Sequence, residues 1–220
     1  MIARIVHDDE AGRAAAIDVL RSGGVVALPT DTVYGIAVAL ETVDGIERLF
    51  QVKQRPLDKA IALLLESATQ ADTIGVMNPT AEALAAACWP GGLTVVLEQR
   101  ARPSIPLPEV LTAGTTTIGV RVPDHPAPRA LAAAVGPLPT TSANVSGQPE
   151  ARDANEIAAQ LGSAIDLILD GGPSRPGPAS TVVDCTGASR ILRVGAIAPQ
   201  RIAALLDAAG IGHAIEIATA

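Results

Sequence analysis

The chain has 220 residues, of which 48% are hydrophobic, and this length suits one large globular domain or two small ones. Its formal net charge is −7 and aromatic residues make up 1%. These values disfavour both bulk attraction to nucleic acid and stacking of bases on aromatic side chains, so any anion site must be built locally. The two cysteines lie far apart and the histidines are isolated, so we expect neither a disulfide framework nor a metal site.

Periodic and apolar segments alternate along the chain and predict interleaved helices and strands. In chain order, the pattern predicts a helix at 10–21, a strand at 25–28, a helix at 42–52 capped by Thr42, a strand at 60–65, a helix at 80–88, strands at 93–97 and 116–122, a helix at 126–135, an extended stretch at 138–141, a helix at 154–161, strands near Leu167, Val182 and Leu192, and a helix at 199–209. This order predicts an α/β (α+β) sheet flanked by helices. We expect one domain, residues 1–208, followed by a C-terminal tail, residues 209–220.

The N-terminus lacks the pattern of a secretory signal, and no apolar run reaches the length of about 18 residues that a membrane span requires. We therefore expect a cytoplasmic protein without a membrane partner.

A hydroxyl-rich turn follows the first predicted strand, in the segment Pro29-Thr-Asp-Thr-Val-Tyr-Gly35. Open α/β sheets bind ligands at the carboxyl ends of their strands, and Thr30, Thr32 and Tyr34 offer polar groups there. Taken alone, the turn is slightly better explained as a structural β-turn.

Three cations lie close together in Lys53-Gln-Arg55-Pro-Leu-Asp-Lys59. Pro56 disfavours the α conformation at Arg55, so the three side chains can converge past the helix end on one anion. A helix that only complements its own dipole would need a single lysine, and the cluster therefore favours an anion site.

Further polar groups follow predicted strands at Thr117, Arg121, Ser180 and Arg193, and in the segment Thr140-Thr-Ser-Ala-Asn-Val-Ser-Gly147. Each has a structural explanation, such as a turn or a surface ion pair. The sequence contains no familiar catalytic motif, and its cations and hydroxyls suit phosphoryl or nucleotidyl transfer, in which positioning and charge neutralisation supply most of the catalysis.

In order, these segments resemble the YrdC-like family, the L-threonylcarbamoyladenylate synthases, over about residues 12–205. The resemblance is carried by the Pro29–Gly35 run, Lys53-x-Arg55-Pro, Trp89-Pro-Gly, Arg121-Val-Pro, Thr141-Ser-Ala-Asn-Val-Ser-Gly147, Ser180-Thr-Val-Val-Asp184 and Leu192-Arg193. It implies a twisted mixed sheet with a concave, locally positive cavity, in the short form that lacks a second domain.

The implied reaction joins L-threonine, bicarbonate and ATP, with Mg²⁺, into threonylcarbamoyl-AMP and pyrophosphate. This product would serve a threonylcarbamoyltransferase complex that modifies adenosine 37 of tRNA. By analogy, Lys53 and Arg55 would be catalytic. The resemblance assigns ATP contacts to Lys53, Arg55, Lys59, Thr117, Ser142, Asn144 and Arg193, and threonine contacts to Thr32, Tyr34, Arg121 and Ser180.

The chain departs from the family pattern at Ala60, Leu64 and Val194. These departures bear on how the pocket would select threonine more than on how it would bind phosphate. One alternative is therefore a paralogue that binds RNA weakly, or another nucleotide, without threonine-dependent activity. The carbamoyl-adenylating module of hydrogenase maturation is a further alternative, but it normally lies in a much longer chain.

Overall fold

The computed structural model describes residues 3–42, 44–101, 105–212 and 216–217. Within these ranges the helices are α1 (Glu10–Arg21), α2 (Gly45–Lys53), α3 (Ala68–Ala71), α4 (Pro79–Cys88), α5 (Glu109–Thr112), α6 (Pro126–Val135), α7 (Ala154–Leu161) and α8 (Pro199–Ala208). The strands are β1 (Arg4–His7), β2 (Val26–Leu28), β3 (Gly35–Ala37), β4 (Ala62–Leu64), β5 (Leu93–Glu98), β6 (Thr117–Arg121), β7 (Leu138–Ser142), β8 (Leu167–Asp170), β9 (Thr181–Asp184), β10 (Arg190–Arg193) and β11 (Glu216–Ile217).

The described strands form one mixed sheet in the order β1-β8-β2-β3-β7-β4-β6-β5-β9-β10-β11. The sheet contains parallel pairs, such as β4 with β6, and antiparallel pairs, such as β5 with β6. The predicted fold class, a mixed sheet flanked by helices, is therefore confirmed.

The sheet has two faces because successive side chains of a strand point to opposite sides. On one face, Leu63 of β4, Val95 of β5 and Val120 of β6 join the larger core cluster. Helices α2, α4, α7 and α8 contribute buried residues such as Leu49 and Leu206 to the same cluster.

The second face is divided into two halves. Helices α1 and α6 cover the half formed by β8, β2, β3 and the start of β7, through residues such as Leu20 and Leu131. The other half carries Thr94 of β5, Gly119 of β6 and Val182 of β9, and forms the floor of an open cavity. The cavity therefore lies where helical cover of this face ends.

The structure corrects two predicted details of α2. Its N-cap is Asp44, in a left-handed conformation with φ 61°, whereas the Thr42 hydroxyl donates to Ala39 O and serves the preceding turn. The helix ends at Gln54, also left-handed with φ 51°, and Arg55 N then donates to Phe50 O. The left-handed residue Gln54 therefore ends the helix one residue before Arg55, the residue whose conformation Pro56 restricts.

The predicted helices at 126–135 and 154–161 have those bounds in the structure, whereas three strands were not predicted. β1 and β3 are short, with four and three residues, and β11 falls within the predicted tail, where it pairs with β10. Among the described residues, no helix is both long and apolar enough to cross a membrane.

Candidate active site

The cavity on the open half of the sheet has a volume of about 450 Å³, within the usual range of small-molecule sites. Most predicted site residues border it. They are Thr32, Tyr34, Arg55, Thr117, Arg121, Ser142, Ser180 and Arg193. The structure therefore collects segments that are far apart in sequence around one space.

Arg121 is fixed at the end of β6 by three hydrogen bonds. Its guanidinium donates to Asp31 Oδ1 at 2.6 Å, to Thr32 Oγ1 at 2.9 Å and to Gly91 O at 2.9 Å. Its side chain is buried, and burial lowers its pKa while Asp31 opposes that shift. The Trp89-Pro-Gly turn thus supplies the Gly91 carbonyl to the site.

Thr32 receives its orientation from Arg121 and from Thr30. The Thr30 hydroxyl donates to Val33 O at 2.7 Å, and the hydroxyl oxygens of Thr30 and Thr32 lie 3.2 Å apart. Because the Arg121 guanidinium only donates, Thr32 Oγ1 accepts from it. The turn therefore arranges its hydroxyls around the guanidinium.

Ser180 and Arg193 form a second bonded group. Arg193 donates to Ser180 O at 3.0 Å and to Ser180 Oγ at 2.9 Å, and Thr94 Oγ1 lies 2.8 Å from Ser180 Oγ. Thr94 was not predicted as a site residue. The feature of the sequence that could have pointed to Thr94 is a polar residue inside the apolar strand β5.

Arg55 borders the cavity and is held by its own loop. It donates to Lys59 O at 3.0 Å and to Ala60 O at 2.7 Å. The Lys59 side chain is exposed and lies outside the cavity lining, so the structure brings the Lys59 carbonyl to the site but not its ammonium group.

Lys53 is buried behind the cavity wall. Its ammonium donates to Ser142 O at 2.8 Å, to Ser142 Oγ at 2.9 Å and to Asn144 Oδ1. Lys53 and Asn144 lie outside the cavity lining, whereas Ser142 borders it. Lys53 and Asn144 are therefore connected to the cavity through their hydrogen bonds to Ser142, and their ATP contacts stay predictions.

The cations of the site repel one another. The pKa of Arg55 is lowered by burial and by the charge of Arg193, and Arg193 also lowers the pKa of Arg121. Burial and the charge of Arg55 lower the pKa of Lys53 to about 8. Such convergence of like charges in a cavity is typical of a functional anion site.

Tyr34 borders the cavity, but its hydroxyl bonds elsewhere. The hydroxyl donates to Gly172 O at 2.6 Å and accepts from Gly171 N at 3.0 Å. Its ring belongs to the larger core cluster, and burial raises its pKa to about 12. The Tyr34 hydroxyl thus holds the start of the loop that joins β8 to Ser180.

Two carboxylates, Asp58 and Glu150, also border the cavity, and neither was predicted. Within the ranges that the structure describes, no group of three or more histidine, cysteine or acidic residues is placed to hold a metal ion.

The fold and the cavity together define an α/β protein with a cationic site for a small anionic ligand. A family model for Sua5, YciO and YrdC, described as "Telomere recombination", matches residues 18–195. The chain belongs to this family.

Several curated relatives carry the name threonylcarbamoyl-AMP synthase, including those of Bacillus subtilis and Shigella flexneri. The protein of Bacillus subtilis is 36% identical over 203 residues, which are 91% of this chain and 57% of the relative. The protein of Shigella flexneri is 37% identical over 161 residues, which are 70% of this chain and 82% of the relative.

Several solved structures share the fold, among them Sua5 and YciO. Sua5 of Pyrococcus abyssi, complexed with L-threonine, has a TM-score of 0.86 and 32% identity, and the match covers 99% of this chain and 62% of Sua5. YciO of Escherichia coli has a TM-score of 0.78 and 28% identity, and the match covers 88% of this chain and 95% of YciO. This chain thus spans less than two thirds of Sua5 and of the Bacillus subtilis relative.

The Tyr34 hydroxyl can be tested by Tyr34→Phe. We expect the free energy of unfolding to fall by about 0.5–1.5 kcal/mol, because the half-buried Gly172 carbonyl loses its donor. Urea denaturation followed by Trp89 fluorescence measures the change. Thr73→Val removes an exposed hydroxyl bonded to Gln70 O and is the control. Equal stability of the two variants would contradict the assigned role.

The lowered pKa of Lys53 predicts that anion binding weakens as the pH rises through about 8. Above this value the ammonium loses a proton, so the positive charge beside Arg55 disappears while the arginines stay charged. Calorimetric titration with ATP between pH 7 and 9.5 measures the effect, since the triphosphate is fully ionised over most of that range. An affinity that stays constant across pH 8 would refute this prediction.

Proposed function

We propose that this protein is a threonylcarbamoyl-AMP synthase, which converts L-threonine, bicarbonate and ATP into threonylcarbamoyl-AMP and pyrophosphate. The observation that carries the proposal is the presence of Arg55, Arg121 and Arg193 in one cavity. A carboxylate and a triphosphate are anions that such a set of guanidinium groups can bind together. The names of the Bacillus subtilis and Shigella flexneri relatives support the same reaction.

The threonine end of the cavity is assigned to Arg121. Its three bonds to Asp31, Thr32 and Gly91 fix the guanidinium and use three of its five N–H donors. The remaining donors suit the threonine carboxylate, with Thr32 and Ser180 nearby in the cavity wall. Tyr34 contributes by holding the turn, since its hydroxyl is bonded to the glycine pair.

The triphosphate end is assigned to Arg55 and Arg193. Both border the cavity, and their mutual repulsion would be relieved by a polyanion between them. Thr117 borders the same space, and Lys59 lies on the adjoining exposed loop. Lys53 and Asn144 act through Ser142, which they hold from behind.

In the proposed reaction, the threonine amine takes up carbon dioxide derived from bicarbonate and forms a carbamate. A carbamate oxygen then attacks the α-phosphorus of ATP, and pyrophosphate leaves. Arg55 and Arg193 stabilise the negative charge that develops on the leaving group, and the fixed Arg121 orients the nucleophile. Transfer of the adenylyl group makes the enzyme a nucleotidyltransferase.

Mg²⁺ is expected to enter with the triphosphate. It commonly binds through one or two carboxylates together with substrate phosphates, and Asp58 and Glu150 are the cavity carboxylates that could take part. When bound, the ion would neutralise phosphate charge.

The product is expected to pass to a threonylcarbamoyltransferase complex that modifies tRNA, which places the reaction in the cytoplasm. Weak RNA binding stays a prediction, and the net charge of −7 weighs against strong binding. A paralogue that binds nucleotide without threonine-dependent turnover remains the competing proposal.

The test is pyrophosphate release from ATP and bicarbonate with L-threonine, with serine, with alanine or without an amino acid. We expect threonine-dependent release and a threonylcarbamoyl-AMP mass. Arg55→Ala should reduce turnover by about 100-fold or more, the usual effect of removing a group that stabilises transition-state charge.

Arg21→Ala, an exposed arginine of α1 outside the cavity lining, is the matched control and should keep full turnover. ATP binding without threonine-dependent turnover would favour the paralogue. Normal turnover in Arg55→Ala would remove Arg55 from the phosphate site.

A further inference from the structure

A histidine side chain caps the start of α6. Proline occupies two of the first three positions of this helix, Pro126 and Pro128, and proline has no backbone N–H group. The N–H group left at these positions belongs to Ala127, and it donates to His125 Nδ1 at 3.2 Å. His125 thus takes the place that serine, threonine, aspartate or asparagine usually fills at a helix N-terminus.

The cap fixes the protonation state of His125. Because the Ala127 N–H group donates, Nδ1 must accept, and the ring is therefore neutral with its proton on Nε2. A proton on Nδ1 would face the Ala127 N–H group with a second donor. It would also place a positive charge at the positive end of the helix dipole. The capped start of α6 therefore requires neutral His125.

The surroundings of His125 act in the same direction. Burial is the largest effect, and it lowers the pKa of His125. Two acidic and two basic groups from other elements also face the ring, and they are Asp8, Arg13, Asp31 and Arg175. The acidic pair raises the pKa and the basic pair lowers it, so burial sets the direction. On its own segment, His125 follows the exposed Asp124.

The start of α6 is bonded to the group that fixes Arg121. Asp124 N donates to Asp31 Oδ1 at 3.1 Å, and the same oxygen accepts from the Arg121 guanidinium at 2.6 Å. His125 follows Asp124 directly and lies outside the cavity lining. Loss of the cap would move the first turn of α6, and Asp124 N with it, away from this carboxylate. The cap can therefore affect Arg121 without touching a ligand.

We propose that neutral His125 is a positioning residue for Arg121: by capping α6 it holds Asp31 where that carboxylate orients the guanidinium toward the threonine carboxylate. The inference rests on the proposed use of threonine. A proton on His125 at acidic pH releases the cap and weakens threonine binding, although Arg121 and the threonine carboxylate keep their charges.

The test is calorimetric titration with L-threonine alone between about pH 5 and pH 7, where its carboxylate stays ionised and its amine stays protonated. We expect the affinity of the wild type to fall toward pH 5 by up to about fivefold, the effect of losing one N-cap. His125→Asn supplies a cap acceptor that does not titrate. It should match the wild type at pH 7 and keep that affinity at pH 5.

His7→Asn is the matched control, since it removes an exposed histidine of β1 outside the cavity lining. This variant should keep the pH profile of the wild type. An identical profile in the wild type and His125→Asn would overturn the inference, as would a wild-type affinity that is constant from pH 7 to pH 5.

A second measurement uses the unmodified protein. The imidazole C–H signals in NMR spectra, assigned with His125→Asn, report the pKa of His125. Coupling between two sites is reciprocal, so threonine binding should lower this pKa if the neutral ring positions Arg121. A direct effect of the threonine carboxylate would raise it instead. A rise, or no change, on addition of threonine would contradict the positioning role.

The proposed function fails in a different way. If the wild type binds no threonine at any pH, both proposals fall. If it binds threonine with the expected pH profile but shows no threonine-dependent turnover, the role of His125 stands and the synthase activity does not.

Discussion

Repulsion among the cations of the cavity is the constraint on which the site depends. Arg55, Arg121 and Arg193 share one cavity in a protein with a formal net charge of −7. Arg121 is compensated by an ion pair with Asp31 at 2.6 Å. In the part of the chain that the structure describes, the ion pairs include no carboxylate partner for Arg55 or Arg193. Hydrogen bonds to backbone carbonyls hold the two side chains in place but do not neutralise their positive charges. A bound polyanion would neutralise them.

The sheet positions these charges through its alternation of side chains. Residues of β5, β6 and β9 that face away from the larger core cluster reach the cavity, and α1 and α6 cover only the neighbouring half of that face. Site residues near strand ends, such as Arg121 and Ser142, thereby inherit the rigidity of the sheet. The loop of Arg55 and the turn of Thr32 are tied to this frame by their own hydrogen bonds.

The sequence predicted the fold class and most of the elements because apolar periodicity is local. That separate motifs meet in one cavity was implied by the resemblance to the YrdC-like family and not by the residue pattern alone. The sequence could not place Lys53 behind Ser142 or send the Tyr34 hydroxyl to Gly172, because such contacts join residues 89 and 138 positions apart. The pairing of Asp31 with Arg121 spans 90 positions and was missed for the same reason.

The central claim is that the open half of the sheet face binds ATP and threonine together. Hydrogen–deuterium exchange of the backbone amides, with and without both ligands, tests it directly. The account predicts slower exchange in residues 29–35, 53–60, 140–148 and 179–193, with α1 and α6 unchanged. Unchanged exchange in those four segments, or slowing confined to α1 and α6, would contradict it.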